Sequence, residues 1–188
     1  MPRNRQSAKK AGTAMETAVE HYLQWALNDQ RIIRRRLHGS DDLGDIANIF
    51  FHGQPVCVEV KNTKRLDATK HYNEAAEEAG NLDSPYPWVV QKKPRVGLST
   101  LERIGQQLAY TDLETYHTMC ALVGRFTEKF DIDLIGRSRQ YVCITLENLA
   151  SSSTTDCHSD RKDNHDRDSR YMRHHRQCHR IRHHARLR

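Results

Sequence analysis

Residues 44–61 read GDIANIFFHGQPVCVEVK, and they carry the strongest structural signal in the chain. Two apolar runs flank HGQP, a segment of turn-forming residues, so the pattern predicts a β-hairpin. In a strand, side chains two residues apart point to the same face and lie about 6–7 Å apart. Glu59 and Lys61 therefore share a face, and the hairpin partner can bring Asp45 beside them.

These three charged side chains suit a particular chemistry. Two carboxylates and an ammonium group at a sheet edge match the needs of a hard divalent cation and a phosphate group. Taken alone, Glu59 and Lys61 also fit an exposed strand pair without function, and Asp45 fits a turn acid after Gly44. The apolar strands around them favour the functional interpretation.

Composition separates a folded body from a polar tail. The chain has 188 residues, which predicts one domain with tails, and its formal net charge is +6. Residues 151–188 contain ten Lys and Arg against five Asp, so they contribute +5 of that charge. We expect them to form a disordered Arg/His-rich tail. The basic charge alone therefore does not predict a nucleic-acid surface on the folded body.

Cysteine and histidine usage points to a reducing compartment. The five Cys are scattered along the chain, and no apolar run approaches the ~18 residues of a membrane span. The polar N-terminus does not resemble a secretory signal, so a cytoplasmic location is expected. In the tail, Cys157-His158 and Cys178-His179 raise the alternative of a zinc site. Their spacing matches no standard finger, which favours a solvated tail.

Periodicity and capping residues predict the remaining elements. Residues 1–12 are expected to be a flexible basic arm, and Thr13-x-x-Glu16 is a capping box for a helix over 13–28. An edge strand is predicted at 31–37. Further along, the predicted elements are a helix over 67–79, a strand at 88–93, a helix or loop at 98–106, a strand at 108–111, a helix at 113–123, a strand at 140–146 and a helix from 147.

Four short motifs together resemble a known enzyme group. They are GTAME (12–16), GSDDLGDI (39–46), VEVKN (58–62) and VVQKK (89–93), and they span about half of the chain. In this order and spacing they are similar to the PD-(D/E)xK nuclease superfamily, in particular to the archaeal and phage-type Holliday junction resolvases. The resemblance implies an α/β, restriction-endonuclease-like fold with a central mixed sheet of four to five strands, flanked by helices on both faces. The nuclease domain would be 13–150, with 98–139 a possible insertion and disordered basic termini.

The resemblance also implies a function and its partners. It implies an Mg²⁺-dependent endonuclease, with Mn²⁺ able to substitute, that cuts four-way DNA junctions as a homodimer during recombination, repair or phage replication. Such an enzyme would act near the nucleoid of a bacterial or phage-infected cell and would have no small-molecule substrate. Two alternatives stay open: another nuclease of this superfamily that cuts linear duplex DNA by repair, nicking or restriction, and a non-catalytic DNA-binding protein of the same fold.

Roles for individual residues follow from the same resemblance. Asp45 and Glu59 would bind the metal together with the carbonyl group of Val60, and Glu16 would reach the metal through water. Lys61 would orient or deprotonate the attacking water, and beside a metal we expect its pKa to be lowered. For Glu16 the capping box is an equally good explanation.

DNA contacts are expected on both sides of this site. Ser40 and Asp42 would lie in a loop beside the scissile phosphate. The expected phosphate contacts are basic side chains that flank the site in sequence: Arg34, Arg35, Arg36, Lys64, Arg65, Lys92 and Lys93.

Overall fold

The computed structural model describes residues 5–35, 42–123 and 131–153. Its helices and strands, in chain order, are α1 (Arg5–Leu27), β1 (Ile33–Arg34), β2 (Ile46–Ala47), β3 (Phe50–Phe51), β4 (Gln54–Lys61), α2 (Ala68–Asn81), β5 (Tyr86–Gln91), α3 (Leu101–Gly105), β6 (Leu108–Asp112), α4 (Leu113–Val123), β7 (Asp133–Ile135), β8 (Tyr141–Thr145) and α5 (Leu146–Ser153).

The strands form one mixed, mostly antiparallel sheet. Seven of them lie in the order β1-β2-β4-β5-β6-β8-β7, and β3 pairs with β4 off this path. β4 and β5 run parallel, and α2 connects them, whereas the other pairs are antiparallel. The expected α/β class is therefore confirmed, but the described residues form eight strands rather than four to five.

Alternating side chains place helices on both faces of the sheet. In β5, Trp88 and Val90 pack in the larger core cluster with α1, α3, α4 and α5, whereas Val89 packs in a smaller cluster with α2. The same period of two operates in β4, where Val58 and Val60 face the larger cluster. The intervening Glu59 consequently points to the side of the sheet that α2 covers.

The N-terminal helix begins earlier than the sequence predicts. α1 starts at Arg5, so the capping box at Thr13 does not begin it, and the expected flexible arm is helical over 5–12. Lys, Gln and Ala are good helix formers and dominate this stretch. The side-chain amide of Asn62 also donates to the carbonyl of Ala11 at 2.7 Å, which ties the added turns to the end of β4. Residues 1–4 lie outside the described part of the chain.

Two strands differ from their predicted bounds. β1 is confined to two residues, because 31, 32 and 35 lie outside the strand, and residues 36 and 37 of the predicted strand lie outside the described residues. β5 begins at Tyr86 and includes Pro87, which was expected to precede the strand. β5 pairs with β6 only from Val89 to Gln91, so the missing N–H of Pro87 leaves that ladder intact.

The segment 98–139 contributes to the centre of the sheet. It supplies β6, which lies between β5 and β8, so this part of the possible insertion is integral to the sheet. The predicted helix after it is confirmed, and Asp112 caps α4 by accepting from the backbone N–H of Thr115 at 2.8 Å. α3 shows that 98–106 includes a short helix.

The C-terminal predictions are tested only in part. The strand β8 and the helix after it are confirmed. Residues 154–188, including the Cys-His pairs of the zinc alternative, lie outside the described residues. Among the helices that the structure describes, none combines the length and apolar character needed to cross a membrane.

Candidate functional site

The hairpin brings Asp45 next to β4, as predicted. The backbone N–H of Asp45 donates to the carbonyl of Val58 at 2.9 Å, and Ile46 pairs with Val58 across the hairpin. In return, the N–H of Val60 donates to the Asp45 carboxylate at 2.8 Å. These bonds fix the Asp45 side chain against β4, beside Glu59.

Gly44 makes this close approach possible. Its φ of +85° lies in the region that glycine tolerates best. A Cβ atom there would also lie 2.9 Å from Cys57 Sγ and 3.3 Å from the carbonyl oxygen of Val58. The glycine of the GD motif is thus required by the geometry that presents Asp45.

Half-buried Asp45 and buried Glu59 form an acid pair. Burial raises the pKa of Asp45 to about 8, and the charge of Glu59 and a hydrogen bond with it add to the effect. Burial also raises the pKa of Glu59, to about 7. Only 7% of the Glu59 surface is exposed. Without a cation, two such carboxyl groups hold a proton between them at neutral pH.

Lys61 lies between two carboxylates. Its ammonium nitrogen pairs with Glu59 and also with Glu74 Oε2 on α2, the latter at 2.7 Å. Burial opposes its charge, but the two acids outweigh burial and raise the pKa of Lys61. Lys61 is therefore an ammonium group here rather than a free amine, and the lowering of its pKa beside a metal stays a prediction.

Glu16 lies at the edge of the acid pair. It accepts from the Arg34 guanidinium at 3.1 Å, and its charge contributes to the raised pKa of Asp45. The structure therefore brings together all four residues predicted to be catalytic: Glu16, Asp45, Glu59 and Lys61. The site is larger than this set, because α2 contributes to it as well.

The two acids from α2 were absent from the sequence prediction. Glu74 pairs with Lys61, and Glu78 is buried and interacts with Glu59. Their spacing of four places both on one face of α2, which is the only signal that the sequence offers for them. Nothing local in the sequence shows that this face lies against β4.

The predicted DNA-contacting residues are distributed around this site. Arg34 is paired with Glu16, and the backbone N–H of Arg35 donates to the carbonyl of Asp45 at 2.7 Å. Asp42, Lys64 and Arg65 are exposed. The Lys92 ammonium donates to the carbonyl of Val96 at 2.6 Å, and the backbone N–H of Lys93 donates to the side chain of Gln107 at 2.8 Å. Arg36 and Ser40 lie outside the described residues.

The donor chemistry fits a hard cation better than a soft one. Asp45, Glu59 and the carbonyl of Val60 offer only oxygen atoms, and Mg²⁺ needs one or two carboxylates while keeping several waters. In the described ranges, no three His, Cys, Asp or Glu side chains are arranged as a complete metal-binding group. The acids instead contact one another and Lys61, which is the arrangement expected when a proton and an ammonium group balance their charge.

In comparisons with known proteins, no family model, no curated protein and no solved structure matches this chain.

Proposed function

We propose that this protein is a metal-dependent endonuclease that hydrolyses phosphodiester bonds in branched DNA, most specifically a Holliday junction resolvase. The observation that carries the proposal is the acid pair of half-buried Asp45 and buried Glu59, with Lys61 on the same face of β4 as Glu59. Two adjacent carboxyl groups shielded from solvent are a cost to a binding module, whereas a catalytic cation site uses them.

Each residue of the site has a role in this reaction. A bound Mg²⁺ would neutralise charge on the phosphate and make a coordinated water more acidic. Asp45, Glu59 and the carbonyl of Val60 would hold it. Because Lys61 is charged, we assign it to the phosphate oxygens and to orientation of the water, where an ammonium group stabilises the negative charge of the transition state.

Glu16 and Arg34 extend the site toward the DNA. Their ion pair is partly exposed, and it lies beside the acid pair rather than inside it. Glu16 is therefore suited to accept a hydrogen bond from a cation-bound water. The exposed Lys64 and Arg65, which follow β4, are suited to contact phosphates, and such contacts weaken as salt is added.

Symmetry favours a dimer as the acting species. A four-way junction has two-fold symmetry, so a homodimer with one site per protomer can cut two opposed strands. This part of the proposal rests on the symmetry of the substrate and on the resemblance described above.

The test is cleavage of a labelled four-way junction and of a linear duplex of the same sequence, each with Mg²⁺ and with EDTA. We expect paired, symmetric cuts in the junction only, and Glu59→Gln or Asp45→Asn should slow them by about 10²- to 10³-fold. Glu114→Gln is the control, because Glu114 is exposed in the first turn of α4.

Three outcomes would count against the proposal. Equal cutting of the linear duplex would indicate a different nuclease. Junction binding without any cutting would indicate a DNA-binding protein. Mg²⁺-dependent cutting that survives Glu59→Gln would remove the acid pair as the active site.

A further inference from the structure

Glu78 on α2 is a buried acid without a structural explanation. Only 7% of its surface is exposed, and it lies on the face of α2 that covers β4. Its carboxyl group interacts with the side chain of Glu59. The Glu78 carboxyl group therefore belongs to the same cluster as the acid pair.

The second oxygen of this carboxyl group has no partner. Within the described part of the chain, Oε2 of Glu78 is buried and accepts no hydrogen bond, and Glu78 forms no ion pair there. A buried, unsatisfied carboxyl oxygen is costly and rare in folded proteins.

Glu74, one turn earlier on α2, is an acid with an ordinary stabilising role and serves as a comparison for Glu78. It is more exposed, it pairs with Lys61 at 2.7 Å, and that hydrogen bond lowers its pKa. Glu78 differs in every respect, because it is buried, lacks a basic partner and contacts another acid. An ordinary stabilising role therefore explains Glu74 but not Glu78.

Once the shared proton is released, the acids of the site carry more charge than its ammonium group can balance. Asp45, Glu59, Glu78 and Glu74 bring four carboxyl groups to the site, and Lys61 is the ammonium group that pairs with two of them. A divalent cation at the acid pair would offset the remaining negative charge. It would also give the free oxygen of Glu78 a partner, either the ion or a water bound to it.

We propose that Glu78 is a further acid of the divalent-cation site, adding its charge and its free oxygen to those of Asp45 and Glu59. This inference rests on the proposed function, because it extends the same cation site. It assigns to α2, which also packs against β5, a direct part in holding the ion.

The test measures cation binding without any DNA. Mn²⁺ is titrated into the full-length protein at pH 7.5, and free Mn²⁺ is followed by electron paramagnetic resonance. We expect Glu78→Gln to weaken binding by about 10- to 100-fold, as loss of a supporting acid does at metal sites. Asp45→Asn serves as a reference for the loss of Mn²⁺ affinity when a principal ligand is removed. Glu77→Gln is the matched control, because Glu77 lies on the same helix, is more exposed than Glu78 and should leave binding unchanged.

A folding defect is controlled in two ways. Circular dichroism and thermal melting in EDTA compare each variant with the wild-type protein, and Glu78→Met provides an apolar side chain of similar size. Both Glu78 variants should be folded, since each removes a buried, unpaired acid. Wild-type Mn²⁺ affinity in both of them would overturn the inference.

The cleavage assay separates this inference from the proposed function. Mn²⁺ binding that depends on Glu78, without DNA cleavage by the wild-type protein, would support the cation site and refute the nuclease. Cleavage that depends on Glu59, with unchanged Mn²⁺ binding in Glu78→Gln, would support the nuclease and overturn the inference. A wild-type protein that binds no Mn²⁺ would overturn the inference in any case.

Discussion

At the scale of single residues, the Lys61 side chain connects β4 to α2. Its ammonium group is shared between Glu59 of its own strand and Glu74 of α2. In the proposed nuclease, a cation bound to Glu59 would leave Glu74 as the acid that holds the lysine. Glu74 would then be a positioning residue, acting on the reaction through Lys61.

This role predicts a specific kinetic effect for Glu74→Gln. We expect the single-turnover rate of junction cleavage to fall about tenfold, because Lys61 loses a charge-assisted hydrogen bond that fixes its direction. The dissociation constant for the junction, measured by anisotropy in Ca²⁺, should stay within about twofold. Stability should change by about 1 kcal/mol or less, since the Glu74 side chain is 37% exposed and its ion pair is screened by solvent.

Two companion variants make the result interpretable. Glu77→Gln, three residues further along α2, lies away from Lys61 and should behave like the wild-type protein. Glu74→Asp keeps the charge and should recover part of the rate. If Glu74→Gln cleaves at the wild-type rate, Lys61 does not need its second acid.

The sequence predicted the residues of β4 better than their chemistry. Strand period and the hairpin were enough to bring Asp45, Glu59 and Lys61 together, because these relations are local. The raised pKa of Lys61 was not foreseen, because Glu74, thirteen positions further along the chain, lies on a separate element. Tertiary packing of α2 onto β4 sets that shift, and no local pattern contains it.

At the scale of elements, two glycines have opposite effects on stability. Gly44 lies in the turn before β2, and Gly80 lies near the end of α2. Gly44 has a positive φ and no room for a side chain, whereas Gly80 lies inside α2, where a Cβ atom would meet nothing within 4 Å. The first glycine is needed for the site, while the second costs the helix entropy.

Replacing each glycine by alanine should therefore have effects of opposite sign. Gly44→Ala should destabilise the protein by about 1–3 kcal/mol, because the residue is forced into a strained conformation. Gly80→Ala should stabilise it by about 0.5–1 kcal/mol. Urea unfolding followed by circular dichroism measures both changes. A neutral Gly44→Ala would mean that the hairpin does not hold Asp45 in the described conformation.

The starts of the helices show that a capping pattern alone does not predict where a helix begins. Asp67, which was predicted to be the first helical residue, instead caps α2 and accepts from the backbone N–H of Lys70. Thr13 carries an equally good capping pattern, yet α1 continues through it to Arg5. A capping box can begin a helix only where the preceding residues leave the helical path, and here those residues favour a helix themselves.

At the scale of the whole molecule, the acid cluster links stability to pH. The pKa values of Asp45, Glu59 and Glu78 rise from their ordinary values of 3.8, 4.5 and 4.5 to about 8, 7 and 7. At a pH between the ordinary and the raised pKa values, the folded protein holds protons that the unfolded chain has released. The free energy of unfolding must therefore fall as pH rises through this window. His71 opposes the trend, because burial lowers its pKa and favours the folded state as pH rises.

Thermal melting in EDTA between pH 5 and pH 8.5 tests this linkage. We expect the wild-type melting temperature to fall from pH 5 to pH 8.5. Mg²⁺ should raise the melting temperature more at pH 8.5 than at pH 5, because a cation replaces the lost protons. Asp45→Asn should flatten the decline while leaving the contribution of His71 in place, and Glu77→Gln should leave the decline unchanged. A wild-type melting temperature that rises steadily from pH 5 to pH 8.5 in EDTA would mean that the cluster does not hold its protons in the folded state. The buried acids would then owe their charge balance to something other than a shared proton, and the case for a cation site at β4 would lose its electrostatic basis.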